Sequence, residues 1–349
     1  MKTNEIFYMT VNQQIEKLKS QGLVIDDVNF AKSELQLYGY SNLIKSYRDP
    51  YIFIDGGKKL YRSGVTFEQI WSLFILDKNL RNAVMASMLD LEERIKEATA
   101  DVIANAFGCH QDLYLDFKNY RDKKRRKKQF SLSTILNNMK KALNTDKNPI
   151  AHYLQKYEAV PPWILFKSIY FSSIVNFIYL FKPAEQFAVA SKLYDNDKLK
   201  LDQHALTFLL MDTLFICLEY RNLAAHGGRI YNYKCNSQLR FMNLSQDDVH
   251  GFSQLLFLLH IFDYQMPYDH LSQALTHQLN RHCGQYPEDV TYLGQILNID
   301  ISLRETVWVT QKSNKYHKDE HCSGIKNPSE IDIAEAKSHG LSPCKKCCD

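Results

Sequence analysis

The sequence predicts a mostly α-helical protein with a small module of β-strand and loop structure at its C-terminal end. Two long segments carry apolar residues at the three- and four-residue spacing of helices, one from Phe67 to Gly108 and one from Leu199 to His226. In addition, four of the eight cysteines lie in the last 28 residues. We therefore expect a helical body followed by a module that a metal ion holds together.

Composition excludes few functions. The 349 residues are 45% hydrophobic and 23% charged, which is typical of a soluble globular protein with more than one domain. A net charge of +4 is too small to establish a polyanion partner. The start, MKTNEIFYMT, has no apolar signal-peptide core, so we expect a cytoplasmic protein. The most apolar window, Trp163–Phe181, contains Lys167 and is interpreted as a core helix rather than a membrane span.

The N-terminal third contains clear start and stop signals. Helices are predicted over Val11–Gln21 and Val28–Tyr38, and Asp49–Gly64 is predicted to be a hairpin or loop. Thr66 and Gln69 have the spacing of a capping box, which would open the long helix that Gly108 closes.

Further helices are predicted along the rest of the body. Three of them cover Ser131–Leu143, Leu199–His226 and Phe252–Phe262. Three more are predicted to start at Pro149, at Pro161–Pro162 and at Pro183. The structure of residues 266–300 is left open, and Val307–Thr310 is β-like. The predicted domains are an N-terminal helical region (1–65), a helical domain (66–265), connecting helices or a linker (266–302) and a metal-binding module (303–349).

The end of the Leu199–His226 helix carries the strongest candidate site. Arg221 continues the apolar line of this helix, where a core residue is expected, and a charge is rarely left there without a partner. Asn222, His226 and Arg229 share a neighbouring stripe at spacings of four and three. Gly227 and Gly228 then stop the helix.

These residue types suit metal-independent RNA cleavage. A histidine with a pKa near neutrality takes or gives a proton. An arginine donates several hydrogen bonds to phosphate oxygens. Asn222 would orient either group or bind the phosphate. The purely structural alternative is that Arg221 forms a buried salt bridge with Glu92, Glu93 or Glu219, and that His226 only helps to cap the helix.

The same residues resemble a known family. Arg-x-x-x-x-His is typical of the HEPN ribonuclease superfamily, and RNLAAHGGRIYN resembles the Abi-like abortive-infection proteins of the AbiD/AbiF group. Arg221, Asn222, His226, Arg229 and Asn232 match that pattern. Two positions depart from it: Ala224 replaces a cysteine and Gly227 replaces a second histidine.

Two further segments resemble the same family. The first is IEKLKSQGLVIDDVNFAKSELQLYGYSNLIKSY near the N-terminus. The second is the long helix, which resembles LDxxLR…LE.RIK and contains Glu92. Glu92 would support the site by pairing with Arg221 or orienting His226, or else would pair with Lys96 at the helix surface.

The resemblance implies an HEPN-like helical bundle and phage defence by RNA cleavage. HEPN nucleases usually form their cleft from two HEPN units. Because the sequence holds one copy of the motif, and because one histidine leaves the second proton transfer unassigned, we expect a homodimer with RNA as partner and no catalytic cofactor. The runner-up is a non-catalytic RNA-binding or partner-binding protein.

A dense basic run offers a second contact for RNA. It is formed by Lys123, Lys124, Arg125, Arg126, Lys127 and Lys128, directly after Arg121 and Asp122. Such a run neutralises phosphates, and each contact steepens the salt dependence of binding. A solvated loop between helices is the alternative.

The C-terminal module has the spacing of a zinc site. Cys344-x-x-Cys347 presents two thiolates from one turn, and His317 and Cys322 would complete the set. His321 and Cys348 are alternative ligands. The pattern resembles the small Ada-type zinc-binding module, which implies structural zinc. A flexible reduced tail, or a metal-dependent nuclease that uses the tail, remain alternatives.

Overall fold

The computed structural model describes residues 8–122, 130–237, 239, 251–303, 305–311, 313–322 and 325–348. Most of these residues are helical, and the short strands lie near the two ends of the chain. This confirms the predicted class: a mostly α protein with a small C-terminal module. The helices of the described residues are α1 Val11–Ser20, α2 Val28–Tyr38, α3 Phe67–Phe107, α4 Gln111–Tyr114, α5 Leu132–Leu143, α6 Ile150–Tyr157, α7 Pro162–Leu165, α8 Phe171–Tyr179, α9 Pro183–Ser191, α10 Asn196–Leu199, α11 Gln203–Ala225, α12 Gly251–His260, α13 Met266–Gln285, α14 Val290–Leu297 and α15 Ile333–Ser338.

The chain forms two compact units. The first contains residues 1–76, 275–295 and 299–349, and the second contains residues 77–274 and 296–298. The domain boundaries expected from the sequence remain a prediction.

In the first unit, the N-terminal segment contains a hairpin. Strands β1 (Ile52–Asp55) and β2 (Lys58–Tyr61) pair in antiparallel fashion, as the Asp49–Gly64 pattern predicts. Helices α1 and α2 begin where Thr10 and Asp27 cap them, because each side chain accepts hydrogen bonds from backbone N–H groups of the first turn.

A buried polar network ties parts of the first unit together. The carboxylate of Asp289 is hydrogen-bonded to Tyr51 Oη at 2.6 Å, to Gln69 Nε2 at 3.2 Å and to His282 Nε2 at 2.9 Å. The other ring nitrogen of His282 lies 2.9 Å from Ser72 Oγ. Residues 266–300, whose structure the sequence left open, therefore contribute helices and buried polar contacts.

The C-terminal part of the first unit is a small module. Strand β3 (Thr306–Val309) pairs antiparallel with β5 (Ser329–Asp332), and β4 (Lys315–Tyr316) pairs parallel with β6 (Ser342–Pro343). The module has a core of its own, formed by Val307, Val309, Tyr316 and Ala336. So small a core gives limited stability, which a bound metal ion would supplement.

In the second unit, α8 and α9 pack against α11. Leu206, Leu210, Leu214 and Cys217 of α11 are fully buried, which confirms the apolar line that leads to Arg221. The start of α11 differs from the prediction. Lys200 has a left-handed backbone (φ 54°), which ends α10, and the side chain of Asp202 caps the new helix at Ala205 N–H.

The apolar window Trp163–Phe181 is also interrupted. It forms α7, a 3₁₀ turn and α8, because Ile169 and Tyr170 adopt extended backbones. The prediction of one continuous core helix there is wrong, although most of its apolar side chains are buried. Within the described part of the chain, none of the helices combines the length and apolarity that crossing a bilayer requires.

Candidate active site and metal centre

The motif helix ends in a backbone arrangement that fixes His226. Gly228 N–H donates a 2.9 Å hydrogen bond to the Leu223 carbonyl, and Gly227 takes a left-handed φ of 71°. These are the hallmarks of a Schellman cap, with His226 as the last residue before the reversal. A side chain at Gly228 would overlap the side chain of Leu223. Gly227 thus suits the left-handed backbone, and Gly228 fits beside Leu223 without a shift of that side chain.

The three candidate catalytic residues all reach the surface of the second unit. His226 is exposed, and Arg221 and Asn222 are half-buried. Among the described residues, the Nε of Arg221 is buried and has no hydrogen-bond partner. A buried guanidinium donor without an acceptor is unfavourable, so the site favours an incoming acceptor such as a phosphate oxygen.

The carboxylates that would neutralise Arg221 have other partners. Glu219 accepts hydrogen bonds from the N–H of Ser237 at 2.7 Å, the N–H of Asn236 at 2.8 Å and Tyr233 Oη at 2.9 Å. Burial raises the pKa of Glu219. The Ser237 hydroxyl also donates a hydrogen bond to this carboxylate, and together with the bonds from Asn236 and Tyr233 it outweighs burial and keeps the pKa below its usual range.

Glu92 has a partner of its own. Its carboxylate lies 2.7 Å from the Lys96 ammonium, one helical turn away on α3. This pairing with Lys96 is the alternative that the sequence left open, and both side chains are half-buried. Within the described residues, no salt bridge joins Arg221 to Glu92, Glu93 or Glu219, so the alternative of a buried salt bridge for Arg221 is not present there.

Two residues of α3 position the end of the motif, and sequence reasoning missed both. Asp77, which is fully buried, accepts 2.8 Å hydrogen bonds from the backbone N–H groups of Ile230 and Tyr231. Arg81 donates a 2.5 Å hydrogen bond to the Gly227 carbonyl. They are four residues apart and therefore share one face of α3. The signal was the LDKNLR segment, whose resemblance to the family pattern was noted without a role for these residues.

The remaining predicted site residues lie after the motif helix or outside the described residues. Arg229 and Asn232 lie in the segment after the helix and are half-buried. The RNA-binding residues Lys123, Lys124, Arg125, Arg126, Lys127 and Lys128 lie outside the described residues. Their contact with RNA stays a prediction.

The predicted metal ligands converge. One ligand atom from each of His317, Cys322, Cys344 and Cys347 lies within 4.8 Å of all the others. The sulfurs of Cys322 and Cys344 are 3.9 Å apart, and Cys347 Sγ lies 3.6 Å from His317 Nδ1. Four such ligands could hold a metal ion.

The distances fit tetrahedral zinc. With Zn–S bonds of about 2.3 Å and a Zn–N bond of about 2.05 Å, tetrahedral geometry requires S···S of about 3.8 Å and S···N of about 3.6 Å. Of the alternative ligands, Cys348 Sγ lies 3.5 Å from the Tyr316 carbonyl and 3.9 Å from Cys347 Sγ, and His321 Nε2 lies 3.2 Å from the Glu320 carboxylate. Cys348 therefore borders the cluster, but it is not one of the four residues whose ligand atoms converge.

The surroundings of Cys347 favour a thiolate. Burial raises the pKa of this thiol, but backbone N–H groups of Asp319 and Lys318 outweigh it, with Cys322 and His317 contributing, and the pKa falls to about 6. A thiolate is the form that binds a metal ion.

The fold and the site define a mostly helical protein with an Arg-Asn-…-His helix end and a separate Cys/His cluster. Residues 33–232, more than half of the chain, match the Abi-like protein family, and the chain belongs to this family. Membership supports a role in abortive infection. No curated protein and no solved structure matches the chain.

Proposed function

We propose that this protein is a metal-independent endoribonuclease of a bacterial abortive-infection system, of the HEPN type, acting in the cytoplasm. The observation that carries the proposal is the guanidinium of Arg221, which has no carboxylate partner in the described chain although its helix is buried. An exposed imidazole, that of His226, lies at the end of the same helix. Family membership supplies the biological setting.

Each residue has a defined role in the proposed reaction. His226 takes the proton of the ribose 2′-hydroxyl, whose oxygen attacks the adjacent phosphorus. Arg221 donates hydrogen bonds to the phosphate oxygens, where negative charge develops, and Asn222 holds the phosphate or the imidazole. The leaving 5′-oxygen takes a proton from a second acid. The products are a 2′,3′-cyclic phosphate and a 5′-hydroxyl.

The second acid is the reason to propose a homodimer. On an ideal helix, Arg221 and His226 point about 140° apart, at 100° per residue. Two motif helices side by side across a two-fold axis would place an arginine of one copy near a histidine of the other. The partner copy would then supply the acid that one chain lacks.

The nuclease proposal is tested with purified full-length protein on single-stranded RNA in the presence of EDTA. Arg221→Ala and His226→Ala are each expected to lower the cleavage rate by about 10²–10⁴-fold while RNA binding persists. The matched control is His152→Ala, which removes another exposed imidazole of the second unit. Wild-type protein that binds RNA and never cuts it would overturn the nuclease proposal.

The dimer proposal has its own test. Wild-type subunits are allowed to exchange with an equal amount of His226→Ala subunits, and the rate per wild-type subunit is measured. A cleft that needs both histidines loses about half of that rate, since only wild-type pairs remain active. Independent sites lose nothing, which would contradict a shared cleft.

A second candidate function is RNA or partner binding without cleavage. It is favoured by Gly227, which stands where the family usually has a second histidine. The same assay decides between the two, because the binding protein would show no cyclic phosphate product under any condition.

For the Cys/His cluster we propose structural zinc held by His317, Cys322, Cys344 and Cys347. Four protein ligands complete a tetrahedral shell and leave no open position for substrate. The metal would stabilise a module whose own core is small. Loss of RNA cleavage in a Cys344→Ser variant whose residues 1–300 stay folded would instead favour a metal-dependent nuclease.

A further inference from the structure

The second unit contains a cavity that the motif does not use. It has a volume of about 510 Å³, within the range of sites that hold small ligands. It lies between the residues that precede the basic run, α9 and the first turns of α11. Its lining includes Arg121, Tyr179, Gln186, His204 and Phe208. No carboxylate is among the described residues that line it.

Arg121 gives this cavity an unfilled hydrogen-bonding capacity. One terminal nitrogen donates a 2.8 Å hydrogen bond to Gln186 Oε1, but the buried Nε has no acceptor in the described chain. Burial lowers the pKa of Arg121, and the nearby Glu185 acts in the opposite direction without a salt bridge between them. The guanidinium therefore remains available to an anionic or carbonyl oxygen from a ligand.

Two aromatic rings in the lining suit a flat ligand group. Tyr179 and Phe208 line the cavity; the imidazole of His204 lies 4.4 Å from the Phe208 ring, and Tyr179 makes a T-shaped contact with Phe215. Stacking of a base on an aromatic side chain contributes about 1–3 kcal/mol and does not depend on sequence. An arginine beside aromatic rings fits one nucleotide, with its base on a ring and its phosphate on the arginine.

A second cavity of the same unit has a lining of mixed charge. It has a volume of about 730 Å³, and the carboxylates of Asp90, Glu92, Glu93 and Glu97 line it together with the cations Arg94, Lys96 and Lys167. The described lining of the Arg121 cavity contains a cation and no carboxylate, so charge favours that cavity for a phosphate.

Helix geometry links the Arg121 cavity to the motif. His204 and Asn222 are 18 residues apart on α11, as are Phe208 and His226, and 18 residues make five full turns of about 27 Å. Each pair therefore points in the same direction from the helix axis. A stacked strand at 3.4 Å per nucleotide covers this distance in roughly eight nucleotides.

We propose that the cavity lined by Arg121, Tyr179 and Phe208 binds one nucleotide of a single-stranded RNA, about eight nucleotides from the bond that the motif cleaves. The position of the cleaved bond in this inference rests on the proposed nuclease function. The binding of RNA in the cavity does not depend on it. The cavity acts as a length gauge: a long strand fills it and a short strand does not reach it.

The test compares RNAs of about 20 and about five nucleotides, of which only the longer can reach both places. Arg121→Gln and Phe208→Leu are expected to weaken binding of the longer RNA about five- to twentyfold, measured by fluorescence anisotropy, and to leave cleavage of the shorter RNA unchanged. Lys156→Gln removes one exposed charge of the second unit away from the cavity and is the matched control. Thermal melting confirms that each variant folds.

The outcomes separate the two proposals. Weaker binding of the longer RNA with no cleavage by any variant supports the cavity and overturns the nuclease. Cleavage that depends on His226 but is indifferent to Arg121 and Phe208 at both lengths overturns the cavity alone. Equal losses with both RNA lengths would also overturn it, because a distant nucleotide site cannot affect a strand that does not reach it.

Discussion

The carboxylate of Asp77 holds the backbone N–H of Ile230 at 2.8 Å, and the same oxygen accepts from Tyr231 N–H. A side chain in one helix thereby fixes a segment more than 150 residues further along the chain, directly after the candidate catalytic residues. The site thus depends on a contact that lies outside its own motif.

Removing this contact will destabilise the protein. Asp77→Ala leaves two buried N–H groups without an acceptor, and we expect the free energy of unfolding to fall by about 2–4 kcal/mol. Asp77→Asn keeps an acceptor oxygen and is expected to lose less. Asp101→Ala, on the same helix but with an exposed carboxylate that pairs with Lys192, is the control and should change stability by under about 0.5 kcal/mol. Denaturant unfolding measures all three, and equal losses for Asp77→Ala and the control would contradict this account.

The left-handed turn at Gly227 makes a specific demand on residue type. Gly227→Ala is expected to lower the free energy of unfolding by about 1–2 kcal/mol, because a Cβ disfavours this backbone, and Gly227→Asn should lose less. Gly284 lies inside α13 with open space around it, so Gly284→Ala should be neutral or stabilising by up to about 1 kcal/mol. A stabilising Gly227→Ala would show that the helix ends differently in solution.

Glu219 predicts a pH dependence of stability. Its folded-state pKa lies below the ordinary value of 4.5, so the unfolded chain takes up the proton first as the pH falls. The contribution of Glu219 is therefore complete above that value and is lost as the pH falls through the folded-state pKa. Glu219→Gln should be less stable than wild type near neutral pH, and the difference should shrink in acid. A difference that is constant with pH would contradict the hydrogen-bonded carboxylate.

Metal analysis will test the Cys/His cluster. We expect one zinc ion per chain in the wild type by native mass spectrometry, and loss of the ion in Cys344→Ser and Cys347→Ser. Cys348→Ala and His321→Ala should keep it, since neither residue belongs to the four whose ligand atoms converge. The informative failure would be zinc retained after both Cys344 and Cys347 are replaced.

Local patterns predicted much of the fold. The caps at Asp27 and Thr66 act through side chains within a few residues, so sequence alone located the starts of their helices well. The Cys344 and Cys347 members of the Cys/His cluster were recognised for the same reason, since a C-x-x-C pair is a local signal. The start of α11 was missed because Lys200 adopts a left-handed backbone that its residue type does not require.

Contacts between residues far apart in the chain could not be predicted from the sequence. That Glu92 pairs with Lys96 was one of two open alternatives, and spacing along one helix could not exclude the other. The roles of Asp77 and Arg81 depend on which helix lies beside the end of α11, and no periodicity in either segment reports this. The empty hydrogen-bonding capacity of Arg121 likewise exists only in three dimensions.

The two hydrogen bonds that Asp77 accepts have a consequence for the segment after α11. Residues 230–231 have no regular secondary structure, yet their amide protons are held by a side chain with no exposure to water. Their exchange with deuterium should therefore be slow, at the pace of the neighbouring helices. The amides of Asn236 and Ser237, held by the more accessible Glu219, should exchange sooner, so that protection declines along the chain away from His226.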